Sequence, residues 1–136
     1  MLDDLFAMAL AAREKAYAPY SRFKVGAAIR GAGGGVHAGC NVENAAYPQG
    51  ACAEAGAIAA MVMAGETRIA EIAVLGWTDA NPTAPGLTTP CGGCRQRIRE
   101  FGTKDTRIHV FGPEGLRQSF KLDELLPASF GPENLA

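Results

Sequence analysis

No block of basic residues occurs anywhere in this chain, which argues against a surface that tracks nucleic-acid phosphates. Charge is balanced, with 13 basic and 14 acidic residues and a formal net charge of −1. No apolar run approaches the ~18 residues a membrane-spanning helix needs. The start, Met1-Leu2-Asp3-Asp4, lacks the basic stretch of a secretory leader, so a cytoplasmic location is expected. Histidine is scarce: His37 and His109 have no spacing partner and do not form a ligand pair. There is no repeat and no low-complexity segment. Cysteine is sparse too, with four in 136 residues. A chain of that length can build a core without disulfides, so a C-x-x-C pair reads as metal-binding or redox. One domain spanning residues 1–136 is expected.

What is present alternates between helical and strand patterns. Residues 3–17 predict a helix, with Leu2, Leu5, Phe6, Ala9 and Leu10 near helical spacing and Pro19 beyond. Residues 23–30 and 36–40 predict a hairpin about a glycine-rich turn. Residues 41–51 read as a loop, and the alanine-rich run 52–64 as a helix ended by Gly65. Residues 69–77 predict a buried strand. Residues 78–90 hold three prolines and read as a loop. Residues 91–101 predict a helix, 107–111 a strand, 119–122 a further strand and 123–126 a last helical turn. This order implies an α/β domain with a mixed sheet and helices on both faces.

The chemistry concentrates in Cys52-Ala53-Glu54 and Pro90-Cys91-Gly92-Gly93-Cys94. Cys52, Cys91 and Cys94 offer three thiolates, which leaves the fourth position of a tetrahedral Zn²⁺ open, as in catalytic sites. Glu54 is placed to move the proton of an activated water, first as base and then as acid. Both segments begin predicted helices, whose free N–H groups favour thiolate. Gly92 and Gly93 are expected to clear space for close backbone approach. A redox C-x-x-C pair and a closed four-cysteine zinc site that recruits Cys40 are the alternatives. Glu54 could also be a surface acid at a helix start. Cys40 reads as a small buried hydrophobe, and Glu14, Glu66, Glu71 and Glu100 as solvated charges.

Several segments resemble one family. Residues 17–28 (Tyr-Ala-Pro-Tyr-Ser-Arg-Phe-Lys-Val-Gly-Ala-Ala), 39–47 (Gly-Cys-Asn-Val-Glu-Asn-Ala-Ala-Tyr), the two zinc motifs and 125–130 (Leu-Leu-Pro-Ala-Ser-Phe) are similar to the small, homotetrameric, three-cysteine cytidine deaminases. The resemblance runs from about residue 5 to residue 135. It implies a three-layer α/β/α sandwich with a mixed central sheet of about five strands. It implies one Zn²⁺ per chain and hydrolytic deamination of cytidine and deoxycytidine, a step of pyrimidine salvage. By the same resemblance Asn41 and Glu43 hold the ribose 3′-hydroxyl, Phe23 stacks on the base and Tyr47 lies in the nucleoside loop. The Ala53 backbone meets the pyrimidine O2, and the Pro90 carbonyl meets the exocyclic amine. Phe130 completes the pocket of a neighbouring subunit. No nucleic acid or membrane partner is implied. A deaminase of another small heterocycle such as blasticidin S, a nucleic-acid editor and a non-enzymatic zinc module are the rival classes. One residue departs from the family pattern. Many members carry Arg after the catalytic Glu, whereas this chain has Ala55. Arg95 and the helix N-termini are then the candidates to offset the charge of three thiolates on a dication.

Overall fold

The computed structural model describes residues 2–83 and 86–136. Met1 of the acidic start, and Ala84 and Pro85 of the predicted 78–90 loop, lie outside the described residues. In chain order the elements are α1 (Leu2–Glu14), β1 (Phe23–Gly31), β2 (Val36–Cys40), α2 (Ala53–Met63), β3 (Ile69–Thr78), α3 (Gly92–Phe101), β4 (Arg107–Gly112), β5 (Gly115–Lys121) and α4 (Leu122–Leu125). The strands form one sheet in the order β2-β1-β3-β4-β5. Only β3 and β4 run parallel, joined by the crossover that carries α3, and the other pairs are antiparallel. The expected mixed five-stranded sheet flanked by helices is therefore present.

Alternation along the central strands explains the two cores. On one face Ala28, Ala73, Leu75, Trp77 and Phe111 pack against Leu5 and Ala9 of α1. On the other, Ala27, Ile29, Ile72, Val74, Ile108 and Val110 meet Ala53, Ala57, Ile58 and Met61 of α2 and Ile98 of α3. Because both faces of β3 are covered, its sequence from Ile72 to Trp77 is a continuous apolar run rather than an alternation. Burying each of its large aliphatic side chains contributes about 1.5–3 kcal/mol.

Two glycines set how closely the helices lie on the sheet. A Cβ at Gly26 would stand 2.0 Å from the Ala9 carbonyl oxygen of α1. A Cβ at Gly39 would stand 2.3 Å from the Ala57 nitrogen and 2.6 Å from the Ala53 oxygen of α2. The start of α2 therefore rests directly on β2. Its far end closes with Gly65 at φ +92°, where Glu66 N–H reaches Met61 O and Gly65 N–H reaches Val62 O.

Two boundaries differ from expectation by more than one residue. α1 ends at Glu14 rather than residue 17, because Tyr17 N–H donates to Asn41 O and Tyr17 O accepts from Glu43 N–H. That bridge draws the chain out of the helix. The last strand begins at Gly115, not 119, and Leu122 opens α4. β5 is a sheet edge whose residues show no clean apolar alternation, so its period is not legible. Glu66 and Glu71 are not solvated charges. Glu66 takes the Gly33 N–H and pairs with His37 at 2.7 Å, and Glu71 bridges Arg30 and His109 at 2.9 and 2.8 Å. Among the described residues no helix is long and apolar enough to cross a membrane.

Candidate metal centre and active site

Cys52 and Cys91 occupy equivalent places. Each is the N-cap residue of its helix, with extended backbone at φ −78°, ψ 155° and φ −65°, ψ 166°. At such positions a side chain ordinarily faces the free N–H groups of the first turn. Here the side chains are thiols. Cys94 follows in the first turn of α3, so it lies on the same side as Cys91. The three sulfurs lie within 4.8 Å of one another. Tetrahedral coordination at about 2.3 Å places thiolates about 3.8 Å apart, a spacing that small side-chain rotations reach from here. Cys40 stands outside this cluster at the end of β2, partly exposed and free.

The electrostatics call for a cation. The backbone N–H of Cys94 holds the Cys91 thiol below its ordinary value. Burial pushes the Cys52 and Cys94 thiols up, and the neighbouring Glu54 charge adds to both. Three thiolates beside a carboxylate repel one another in a partly dry site, and a bound divalent cation reverses that balance. The residues fit a metal ion of the soft, thiolate-preferring kind.

Glu54 lies in the first turn of α2 and is 4% exposed. Burial pushes its carboxyl upward, opposed by its own backbone N–H, by Cys94 and by the charge of Arg97. It is therefore no surface acid at a helix start. It faces a cavity of about 320 Å³ that it shares with Cys52, Cys91, Ala53, Phe23, Asn41, Glu43 and Tyr47. So the sheet end and the start of α2 bring eight of the eleven sequence-predicted site residues to one cavity. Cys94 lies buried behind it.

The polar lining is well tied down. Asn41 Nδ2 donates to Phe23 O and Asn41 Oδ1 accepts from Val25 N–H, both at 2.8 Å. Glu43 Oε1 accepts from the Tyr20 and Ser21 N–H groups at 2.9 and 3.1 Å, and its second oxygen accepts from the Ser21 hydroxyl. The Ser21 hydroxyl bond and those backbone N–H groups hold the Glu43 carboxyl below its ordinary value. Pro90 is fully buried, and its carbonyl accepts from Arg95 Nε at 2.7 Å. Phe130 does not line this cavity. It is 57% exposed, and its carbonyl accepts from Gln96 Nε2 at 2.9 Å.

Arg95 directs its guanidinium hydrogen bonds to oxygen partners rather than to the sulfurs. Its other two nitrogens donate to Leu125 O at 2.8 Å and Thr89 Oγ1 at 3.1 Å. Arg97 instead places Nη1 3.5 Å from Cys94 Sγ. The sequence motifs do not single out Arg97, although its i, i+3 spacing from Cys94 on a helix is a usable signal. Nor do they single out Thr88, Thr89 and Val25, which line the cavity from loop and strand positions without a chemical signature. Gly92 has nothing within 4 Å of where a Cβ would stand, and Gly93 meets only Arg97 and Cys91 side-chain atoms. Neither glycine is there for a close backbone approach within the chain.

The profile of the cytidine and deoxycytidylate deaminase zinc-binding region matches residues 2–110. The chain is 36% identical to a cytidine deaminase of Sporosarcina psychrophila over 135 residues, covering 99% of this chain and 95% of that one. It is 39% identical to one of Halalkalibacterium halodurans over 127 residues, with 93% and 92% covered. Its structure is similar to the crystal structure of cytidine deaminase from Burkholderia pseudomallei, with a TM-score of 0.85, 42% identity and 96% and 99% of the two chains covered. The Mycobacterium tuberculosis cytidine deaminase structure aligns with a TM-score of 0.78 at 36% identity, covering 96% and 97%. Both the matched span and the three-thiol cluster lead to one conclusion, that the chain belongs to the cytidine and deoxycytidylate deaminase family.

Proposed function

We infer that this chain, as one catalytic domain, hydrolyses cytidine and deoxycytidine to uridine and deoxyuridine with release of ammonia. The observation that carries this reading is one shared cavity: Cys52, Cys91 and buried Glu54 line it together with Phe23, Asn41 and Glu43, and the Cys94 sulfur clusters with the other two thiols behind it. Zinc is the metal proposed, held by Cys52, Cys91 and Cys94, and when bound it supplies an activated water at neutral pH. Glu54 takes a proton from the attacking water and delivers it to N3 of the pyrimidine. It then takes the proton of the new C4 hydroxyl, which becomes the product carbonyl, and passes it to the amine that departs as ammonia. A carboxyl raised by burial suits both transfers, since its proton affinity sits nearer the working pH.

The nucleoside contacts follow from unused hydrogen-bonding capacity. Asn41 spends one of its two amide hydrogens on Phe23 O and keeps the other for the ribose 3′-hydroxyl. Glu43 accepts three hydrogen bonds, leaving about one of a carboxylate's four lone-pair sites for the same hydroxyl. Phe23 stacks on the base and Tyr47 lies in the nucleoside loop. The Ala53 backbone meets O2. Pro90 O keeps a second lone pair for the exocyclic amine beside the Arg95 bond. Phe130, exposed and outside its own cavity, is proposed to enter that of a neighbour in a homotetramer. The exposed Tyr17, Tyr20, Val62, Met63 and Leu135 support contact surfaces between copies.

The test is loss of cytidine absorbance by the purified protein, with its zinc content measured. Deoxycytidine, cytosine, CMP and blasticidin S run beside it. Turnover of both nucleosides with about one zinc per chain is expected. Turnover of blasticidin S alone would replace this reading.

A further inference from the structure

We propose that Arg97 is the positioning cation of the metal centre, delivered from α3 where Ala55 leaves α2 without one. The proposal rests on the zinc reading above.

The need for a cation is stoichiometric. Three thiolates on one dication leave the filled centre with a net formal negative charge. Cys94 contributes to that charge from full burial, where an uncompensated charge is most costly. The residue after Glu54 is Ala55 and can offer nothing. Arg95, adjacent to Cys94, has all three guanidinium nitrogens committed to Pro90 O, Leu125 O and Thr89 Oγ1. Arg97 alone among the described arginines has a guanidinium nitrogen within hydrogen-bonding distance of a ligand sulfur, 3.5 Å from Cys94 Sγ.

Two features of α3 aim it there. One is the i, i+3 spacing, which puts positions 94 and 97 on one face. The other is Gly93. A Cβ at that position would stand 3.4 Å from Arg97 Nη1 and 4.0 Å from Cys91 Sγ, so the guanidinium passes over a residue without a side chain. It therefore reaches the Cys94 thiol across the open position at Gly93. A planar donor beside thiolates both offsets charge and fixes the lone pair directed at the metal, the role outer-shell partners play at zinc sites.

The experiment measures zinc affinity of the full-length protein by competition with a chromophoric chelator. The unsubstituted protein, Arg97→Met and Arg97→Lys are compared. A second readout is the thiolate-to-metal charge-transfer band of the Co²⁺-loaded proteins. Arg97→Met is expected to bind zinc about 10–100-fold more weakly, the usual effect of losing an outer-shell partner. Its Co²⁺ band should shift, and kcat should fall more than KM rises. Arg97→Lys should recover part of the affinity, because it restores charge without the fork. Affinity and band both unchanged in Arg97→Met, beside an unsubstituted protein that binds zinc, would overturn this proposal alone. So would a lysine variant as impaired as the methionine one. An unsubstituted protein that binds no zinc would overturn the zinc reading itself, and this proposal with it.

Discussion

The side-chain amide of Asn41 clamps the backbone of β1, with Nδ2 on the Phe23 carbonyl at 2.8 Å and Oδ1 on the Val25 N–H at the same distance. One residue thus fixes the strand end that presents Phe23 and still faces the cavity. Asn41→Ala should therefore damage two things at once. It leaves a carbonyl and an N–H short of partners in a part-buried place, at a cost of about 1–3 kcal/mol. It also removes the proposed ribose contact. We expect a lower midpoint in denaturant titration together with a raised KM for cytidine. A raised KM at full stability would mean that the clamp contributes little.

Cys52, Cys91 and Cys94 should fail together. Alanine at any of them should remove the metal, read by elemental analysis, and activity with it. Cys40→Ala should keep both, since Cys40 lies outside the cluster. Metal lost from Cys40→Ala and kept in Cys52→Ala would mean a different ligand set.

Glu54→Gln preserves shape and removes the proton acceptor. It should hold its metal and lose at least ~10² in kcat, the scale of general acid–base catalysis. Near-normal turnover would remove Glu54 from the proton path.

The metal centre was legible in the sequence because ligand chemistry restricts residue type and spacing more tightly than any helix does. Cys52-Ala53-Glu54 and Cys91 to Cys94 needed no structure to be read together. β1, β2 and β3 were legible because apolar runs and glycine turns bound them. β5 was not, since an edge strand answers to one neighbour and its alternation is weak. The end of α1 was missed for a related reason: a pairing with Asn41 and Glu43, far along the chain, overrode local propensity. Arg95 and Arg97 make the same point at the site. Both sit near Cys94 in sequence, and only the direction of each side chain, toward carbonyls or toward sulfur, separates them.

Phe130 tests assembly. Gln96 holds its carbonyl and Arg99 Nε donates to Ser129 Oγ at 2.9 Å, so α3 steadies the segment that carries the ring outward. Phe130→Ala should raise KM for cytidine while leaving metal content intact. Sedimentation should show a tetramer for the unsubstituted chain. A fully active monomer would remove the basis for a shared pocket.

Gly39 and Gly56 face each other across the contact between β2 and α2, and they should respond in opposite ways to alanine. A Cβ at Gly39 would meet the Ala57 nitrogen at 2.3 Å and the Ala53 oxygen at 2.6 Å. Both are helix backbone, so neither can rotate aside, and α2 must lift from the sheet. A Cβ at Gly56 would meet Gly39 Cα at 3.6 Å and Cys40 O at 3.7 Å, ordinary contact distances. Lifting α2 moves Cys52 and Glu54 at its start, while Cys91 and Cys94 stay with α3. Gly39→Ala should thus lose stability by about 1–3 kcal/mol, as overpacking does. It should also bind metal and turn over cytidine far less well than that loss alone implies. Gly56→Ala adds only ordinary van der Waals contacts and removes a glycine from a helix interior, worth up to about 1 kcal/mol of added stability. It should keep both metal and activity. Equal behaviour of the two variants, in denaturant titration and in metal content, would mean that the seating of α2 on Gly39 does not position the centre.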